Sequence, residues 1–172
     1  KGIMELIRII VADDHALVRA GLCHLLESKR DFEIVAEAGN GAETLSLCRQ
    51  HNPDLLLLDL EMPDMDGIEI TRQLAVAQPA ITILVLTMHD SEEYASRLMQ
   101  AGASGFIVKG SSPKELPDAI RKVAAGGNYI TPSVMERMLF RKMAPEGENP
   151  VGVLSDRELQ VFVRLAGGRT HP

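Results

Sequence analysis

Aromatic residues are scarce: the 172 residues include no Trp, two Tyr and four Phe. A chain so poor in rings offers no stacking platform for single-stranded nucleic acid. Cysteine occurs only as Cys23 and Cys48, both in helix-patterned stretches and without metal-ligand spacing. That excludes a disulfide framework and a thiolate zinc site, and points to reduced thiols. A surplus of positive charge is also missing, the formal net charge being −6. Residues 1–129 carry 12 Lys/Arg against 19 Asp/Glu, and residues 130–172 carry 6 against 5. The main body therefore repels phosphate backbones, and any nucleic-acid contact belongs to the C-terminal end. No apolar run reaches bilayer-spanning length and no signal-type leader is read, so a cytoplasmic protein without a membrane partner is expected.

What is present suits a globular domain with a small appendage: hydrophobic content is 45% and charged content 24%. Four short runs rich in Ile, Val and Leu end on residues of another kind. Residues 6–12 run into Asp13 and Asp14, 55–58 into Asp59, 81–86 into Thr87, and 106–108 into Lys109. Such runs read as strands buried on both faces, hence a parallel sheet. Residues 32–36 supply a further strand.

Helical periodicity fills the intervals, over 15–28, 41–51 and 68–76. A fourth helix is capped by Ser91 and runs to Ala101. A fifth is capped by Ser112, with Pro113 in its first turn, and ends near Ala125. Strict alternation predicts a doubly wound, parallel five-stranded α/β sheet with right-handed crossovers. The first domain is expected to end near Gly126-Gly127. A helix over 132–143 follows, with Met135, Met138 and Leu139 free to pack on the body or on a partner. Residues 144–152 have the composition of a linker.

In a parallel sheet the carboxyl ends of the strands share one edge, where ligands bind. Asp13, Asp14, Asp59, Thr87 and Lys109 should converge there. Taken singly, each has a plainer reading. Asp13 or Asp14 is an N-cap, Asp59 starts an Asx turn, Thr87 is a strand residue and Lys109 a solvated charge. Their joint placement argues against coincidence. Mg²⁺ takes oxygen ligands and is held by one or two carboxylates plus a phosphate. Carboxylates this close raise one another's pKa unless a cation compensates. One of them can act as a nucleophile on phosphorus and form an acyl phosphate. Lys109 as a point charge and Thr87 as a hydrogen-bond donor would then neutralise the phosphoryl oxygens.

Residues 6–125 resemble the receiver domain of two-component response regulators. The likeness is carried by Ile10-Val11-Ala12-Asp13-Asp14-His15, Leu58-Asp59-Leu60-Glu61-Met62-Pro63-Asp64-Met65-Asp66-Gly67, Val85-Leu86-Thr87-Met88-His89 and Gly102-Ala103-Ser104-Gly105-Phe106-Ile107-Val108-Lys109. The resemblance implies a flavodoxin-like (βα)5 fold in which Asp59 accepts a phosphoryl group from a sensor histidine kinase. It implies Mg²⁺ (or Mn²⁺) ligated by Asp14, Asp59 and the Glu61 backbone carbonyl, with Asp13 acting through a bound water. Thr87 and Phe106 would be the switch pair, Thr87 moving toward the phosphoryl group and the ring of Phe106 filling the space. Phe106 has no phenolic hydroxyl, so a hydrogen bond made by Tyr in other members is absent. Glu61 and His89 each follow a site residue by two positions and are read as rim groups that tune spontaneous dephosphorylation. Their plainer reading is exposure to solvent. A homodimer is expected on phosphorylation.

Residues 154–170 open with a capping box, Ser155 and Glu158. They carry an apolar stripe of Leu159, Phe162, Val163 and Ala166, and close on Gly167-Gly168. The segment resembles the first helix of a LuxR/NarL-type helix-turn-helix output domain. One amphipathic helix cannot bury its stripe alone, and no recognition helix follows it. The expected organisation is a receiver at 4–127, a linker with one helix at 128–152, and an N-terminal fragment of the output domain at 153–172. The chain is then expected to be a fragment of a longer transcription regulator, the alternative being a naturally truncated product, and promoter DNA is a partner only of a form with the complete output domain.

The competing reading is a stand-alone receiver acting as a protein-interaction adaptor. A turnover enzyme is not expected. Phosphatases with an aspartyl nucleophile place a second Asp two residues on, whereas Asp13 and Asp14 are adjacent. A Rossmann-type nucleotide binder would need a Gly-rich turn after the first strand.

Overall fold

The computed structural model describes residues 5–110 and 112–143. Strands and helices alternate as β1 (Ile7–Ala12), α1 (Ala16–Glu27), β2 (Phe32–Ala38), α2 (Gly41–His51), β3 (Leu55–Asp59) and α3 (Gly67–Ala77). They continue as β4 (Thr82–Thr87), α4 (Glu92–Ala101), β5 (Gly105–Val108), α5 (Glu115–Ala124), β6 (Tyr129–Ile130) and α6 (Pro132–Met143). All strand pairs are parallel, and the sheet order is β2-β1-β3-β4-β5-β6. The expected doubly wound parallel sheet is present, with β6 added at one edge. That strand is two residues long, too short to carry any periodicity.

Successive strand residues point to opposite faces, and the core divides accordingly. Ile10, Leu56, Leu58, Ile83 and Val85 share one cluster with Ile70 and Leu74 of α3 and Leu98 and Met99 of α4. Ile9, Val11, Leu55, Leu57, Leu84 and Leu86 share the other with Leu26 of α1 and Ile120 and Val123 of α5. The four leucines of β3 are at most 1% exposed. Each contributes about 1.5–3 kcal/mol by leaving water, which holds β3 in the middle of the sheet.

The helix starts bear on the plainer reading of Asp13 and on the expected caps. Asp13 does not cap α1; its Oδ1 accepts from His15 N at 2.8 Å and closes a turn ahead of the helix. Ser112 stands one turn ahead of α5, its Oγ accepting from Lys114 N at 3.4 Å and its carbonyl from Glu115 N at 2.9 Å. The helix begins at Glu115, and the proline in its first turn is Pro117, whose missing N–H needs no partner there. Ser91 does cap α4, its Oγ accepting from Tyr94 N at 3.4 Å.

Helix α6 packs on the body. Val134, Met135 and Met138 are buried in the cluster that holds Leu98 and Met99 of α4, while Leu139 stays 42% exposed. Cys23 and Cys48 are free and buried, and burial pushes their thiols up to about 12 and about 11. Among the described residues no helix is long and apolar enough to cross a membrane. The capping box and apolar stripe read at 154–170 lie outside the described residues.

Candidate functional site

Strand order reverses between β1 and β3, and the crevice beyond their carboxyl ends is where open α/β sheets bind ligands. Asp13 follows β1, Asp59 ends β3, Thr87 ends β4 and Lys109 follows β5. Asp13 is 1% exposed and Asp59 6%, so two carboxylates are withdrawn from water at one edge. Burial at that depth requires a countercharge. Lys109 supplies it, with Nζ 3.1 Å from Asp13 Oδ2 and 3.6 Å from Asp59 Oδ1. Its backbone N–H also donates to the Thr87 carbonyl at 2.6 Å, joining the ends of β4 and β5.

Asp14 lies at the exposed mouth, where His15 Nδ1 stands 2.9 Å from Asp14 Oδ1 and 3.5 Å from Asp13 Oδ1. Candidate ligand atoms of Asp13, Asp14, His15 and Asp59 lie within 4.8 Å of one another. The three carboxylates are hard oxygen donors of the kind that Mg²⁺ or Mn²⁺ prefers, and no thiol is among them. Burial pushes the Asp59 carboxyl above its ordinary range. Lys109 pulls it back, Asp13 raises it, the Glu61 N–H lowers it and Asp14 raises it. A bound cation would add to the pull of Lys109, so the donor set fits such an ion.

The remaining candidates occupy two places. Thr87 is buried, and its Oγ1 accepts from His89 N at 3.1 Å. Phe106 is fully buried in the core shared with α4 and α6, and its carbonyl accepts from Thr131 N at 3.0 Å. Glu61 and His89 meet each other through Oε1 and Nε2. The hydrogen bond from His89, then its charge, holds the Glu61 carboxyl below the usual range. A cleft of about 410 Å³ opens beside them, lined by residues 60–66, His89 and Tyr94.

Three contributors escape sequence reasoning. His15 adjoins the acidic pair, which is a usable signal. Arg19 Nη1 donates to the Asp13 carbonyl at 2.5 Å, one helical turn beyond His15. Thr131 Oγ1 accepts from Val108 N at 3.0 Å, and nothing in its neighbourhood announces that.

The response regulator receiver domain family matches residues 9–121. The chain belongs to the response-regulator receiver family. The chain is 36% identical over 162 residues to the response regulator GacA of Pseudomonas protegens, covering 94% of this chain and 76% of that protein. It is 36% identical over 165 residues to the response regulator UvrY of Escherichia coli K12, covering 95% of this chain and 76% of that one. Among solved structures, a LuxR-family two-component response regulator from Aurantimonas sp. SI85-9A1 aligns with a TM-score of 0.79 at 35% identity, covering 81% of this chain and 100% of that chain. These likenesses place the receiver in the NarL/FixJ class.

Proposed function

We propose that this receiver is a phosphorylation-controlled switch in which Asp59 takes a phosphoryl group from a phosphohistidine of a sensor histidine kinase. The observation that carries the reading is the Lys109 ammonium set 3.1 Å from Asp13 and 3.6 Å from Asp59. A carboxylate oxygen of Asp59 bonds to phosphorus as the N–P bond breaks, and that electron pair leaves on the imidazole nitrogen. Lys109 neutralises one phosphoryl oxygen as a point charge, and the Thr87 hydroxyl donates to another. Asp14, Asp59 and the Glu61 carbonyl would hold Mg²⁺ or Mn²⁺ directly, and Asp13 would hold it through a water. When bound, the cation supplies positive charge against the transferring oxygens.

To reach the phosphoryl group, the Thr87 hydroxyl gives up the hydrogen bond it accepts from His89 N–H. The segment after β4 then shifts, and Phe106 repacks into the vacated space. Taking a population from mostly inactive to mostly active needs about 5.5 kcal/mol of differential contact. Several charge-assisted hydrogen bonds at about 1.5–3 kcal/mol each suffice. Repacking of α4, β5 and α5 favours a homodimer. Control of transcription follows through a complete LuxR-type output domain, with residues 4–127 as receiver, 128–152 as linker and 153–172 as the start of that domain. Glu61 and His89 orient or repel the attacking water and so set the lifetime of the acyl phosphate. A decay rate left unchanged by both Glu61→Ala and His89→Ala removes that last role.

Intact mass spectrometry with Mg²⁺ and a small acyl-phosphate donor tests the central claim. The chain should gain the mass of one phosphoryl group, and neither Asp59→Asn nor the chain in excess chelator should gain it. Equal uptake by Asp59→Asn would overturn the reading.

A further inference from the structure

The loop between β3 and α3 carries the Glu61 carbonyl, and it is closed at both ends by contacts outside the crevice. At its base Gly67 N donates to the Leu60 carbonyl at 3.0 Å. A Cβ on Gly67 would stand 2.9 Å from both Leu60 Cα and Leu60 O, so only glycine permits that approach. At its tip, Asp64 reaches across to another element. Its Oδ1 accepts from Gly41 N at 2.6 Å and its Oδ2 from Ala42 N at 3.0 Å, which are the first two amides of α2. The helix's own cap, Asn40, serves a different amide, accepting from Glu43 N at 2.8 Å.

Gly41 is required for the same close packing, since a Cβ there would lie 2.6 Å from Met65 Cβ. The two amides hold the Asp64 carboxyl below its ordinary range, and the α2 dipole favours its negative charge. Helix α2 thus has one cap from within and a second from the loop.

We propose that Asp64 is a positioning residue for the cation: by pinning the tip of the 60–66 loop on α2, it holds the Glu61 backbone carbonyl ready as an oxygen donor. The inference rests on the reading of Asp13, Asp14 and Asp59 as a cation site. Without the pin, the loop would have to be ordered when the cation binds, and affinity falls by that entropic cost.

Titration of the full chain with Mg²⁺ alone, followed by calorimetry, tests this in wild type, Asp59→Asn, Asp64→Ala, Asp64→Asn and Asn40→Ala. Asp64→Ala should weaken Mg²⁺ binding about tenfold, and Asp64→Asn, which keeps one acceptor oxygen, should fall between it and wild type. Asn40→Ala removes a cap from the same helix without touching the loop, and should bind as wild type does. Wild-type affinity in Asp64→Ala overturns the inference. An equal loss in Asn40→Ala overturns it too, because helix stability alone would then set affinity. If wild type binds no Mg²⁺, or Asp59→Asn binds it unchanged, the reading of the cation site fails first and this inference falls with it.

Discussion

Lys109 and Asp13 are 96 positions apart in sequence and meet through an Nζ–Oδ2 contact of 3.1 Å. The same ammonium lies 3.6 Å from Asp59 Oδ1, so one cation serves two buried carboxylates. Lys109→Ala leaves them facing each other. A lost charge-assisted contact to the transferring group is worth about 2 kcal/mol. Phosphoryl uptake from a small acyl phosphate should therefore slow roughly thirtyfold. The Asp59 carboxyl should also titrate higher still, read from carboxyl carbon shifts by NMR. Uptake at the wild-type rate would contradict this account of Lys109.

A second prediction concerns acid stability. Arg121 Nε and Nη2 donate to Asp31 at 2.7 and 3.1 Å, and the guanidinium lies 5.1 Å from the centroid of the Phe32 ring. The hydrogen bonds from Arg121 hold the Asp31 carboxyl below its ordinary range. Its folded pKa is thus below the unfolded value of about 3.9. The stabilisation is present above that value and is lost as pH falls through the folded pKa. The Arg121 side chain is 42% exposed, and solvent screening limits the pair to about 0.2–1 kcal/mol. Urea unfolding should show Asp31→Asn less stable by that amount at neutral pH, with the gap closing in acid. A gap that widens toward acid would reverse the sign.

Two glycines should respond oppositely to alanine. A Cβ on Gly105 would lie 2.5 Å from Leu84 Cδ1 and 3.1 Å from the Tyr129 carbonyl, inside the packed sheet. Gly105→Ala should cost about 1–3 kcal/mol through overpacking. Gly21 lies on the exposed side of α1 with nothing within 4 Å of its Cβ position. Gly21→Ala should add about 1 kcal/mol by helix propensity. Urea midpoints at constant m-value measure both.

Helix α6 is tied to the segment that follows Thr87. Arg137 Nε donates to Glu92 Oε2 at 3.2 Å, and its guanidinium also donates to the Asp90 carbonyl. Arg137→Ala should loosen α6 while Val134, Met135 and Met138 keep it docked. The loss of stability should stay within about 1 kcal/mol, and amide hydrogen exchange over α6 should quicken. Exchange at wild-type rates would show that Arg137 does not help hold the helix.

The parts of the fold legible in the sequence are those with a local signature. Residues 55–58 are four leucines in a row, and their shortness between Pro53 and Asp59 marks a buried strand rather than a helix. Ser91 reads correctly as a cap because Glu92 and Glu93 follow it in the favourable first turn. Ser112 carries a similar signal and its Oγ accepts from Lys114 N, but the regular helix starts only at Glu115, a start that the sequence pattern places too early. Residues 129–130 form a strand through register with Gly105 and Phe106 alone.

Local pattern, by itself, determined the types of all elements but β6, the parallel arrangement of the five longer strands and the identity of the residues that end four of them. Apolar runs and helical stripes report how each segment meets water, and that is a property of near neighbours. Tertiary structure alone decided which of those residues touch: Lys109 beside Asp13 and Asp59, Glu61 against His89, Asp64 on the first turn of α2. Contacts of a few ångströms between distant segments depend on strand order, register and loop closure. Packing of the whole core sets those, and no stretch of the chain encodes them separately.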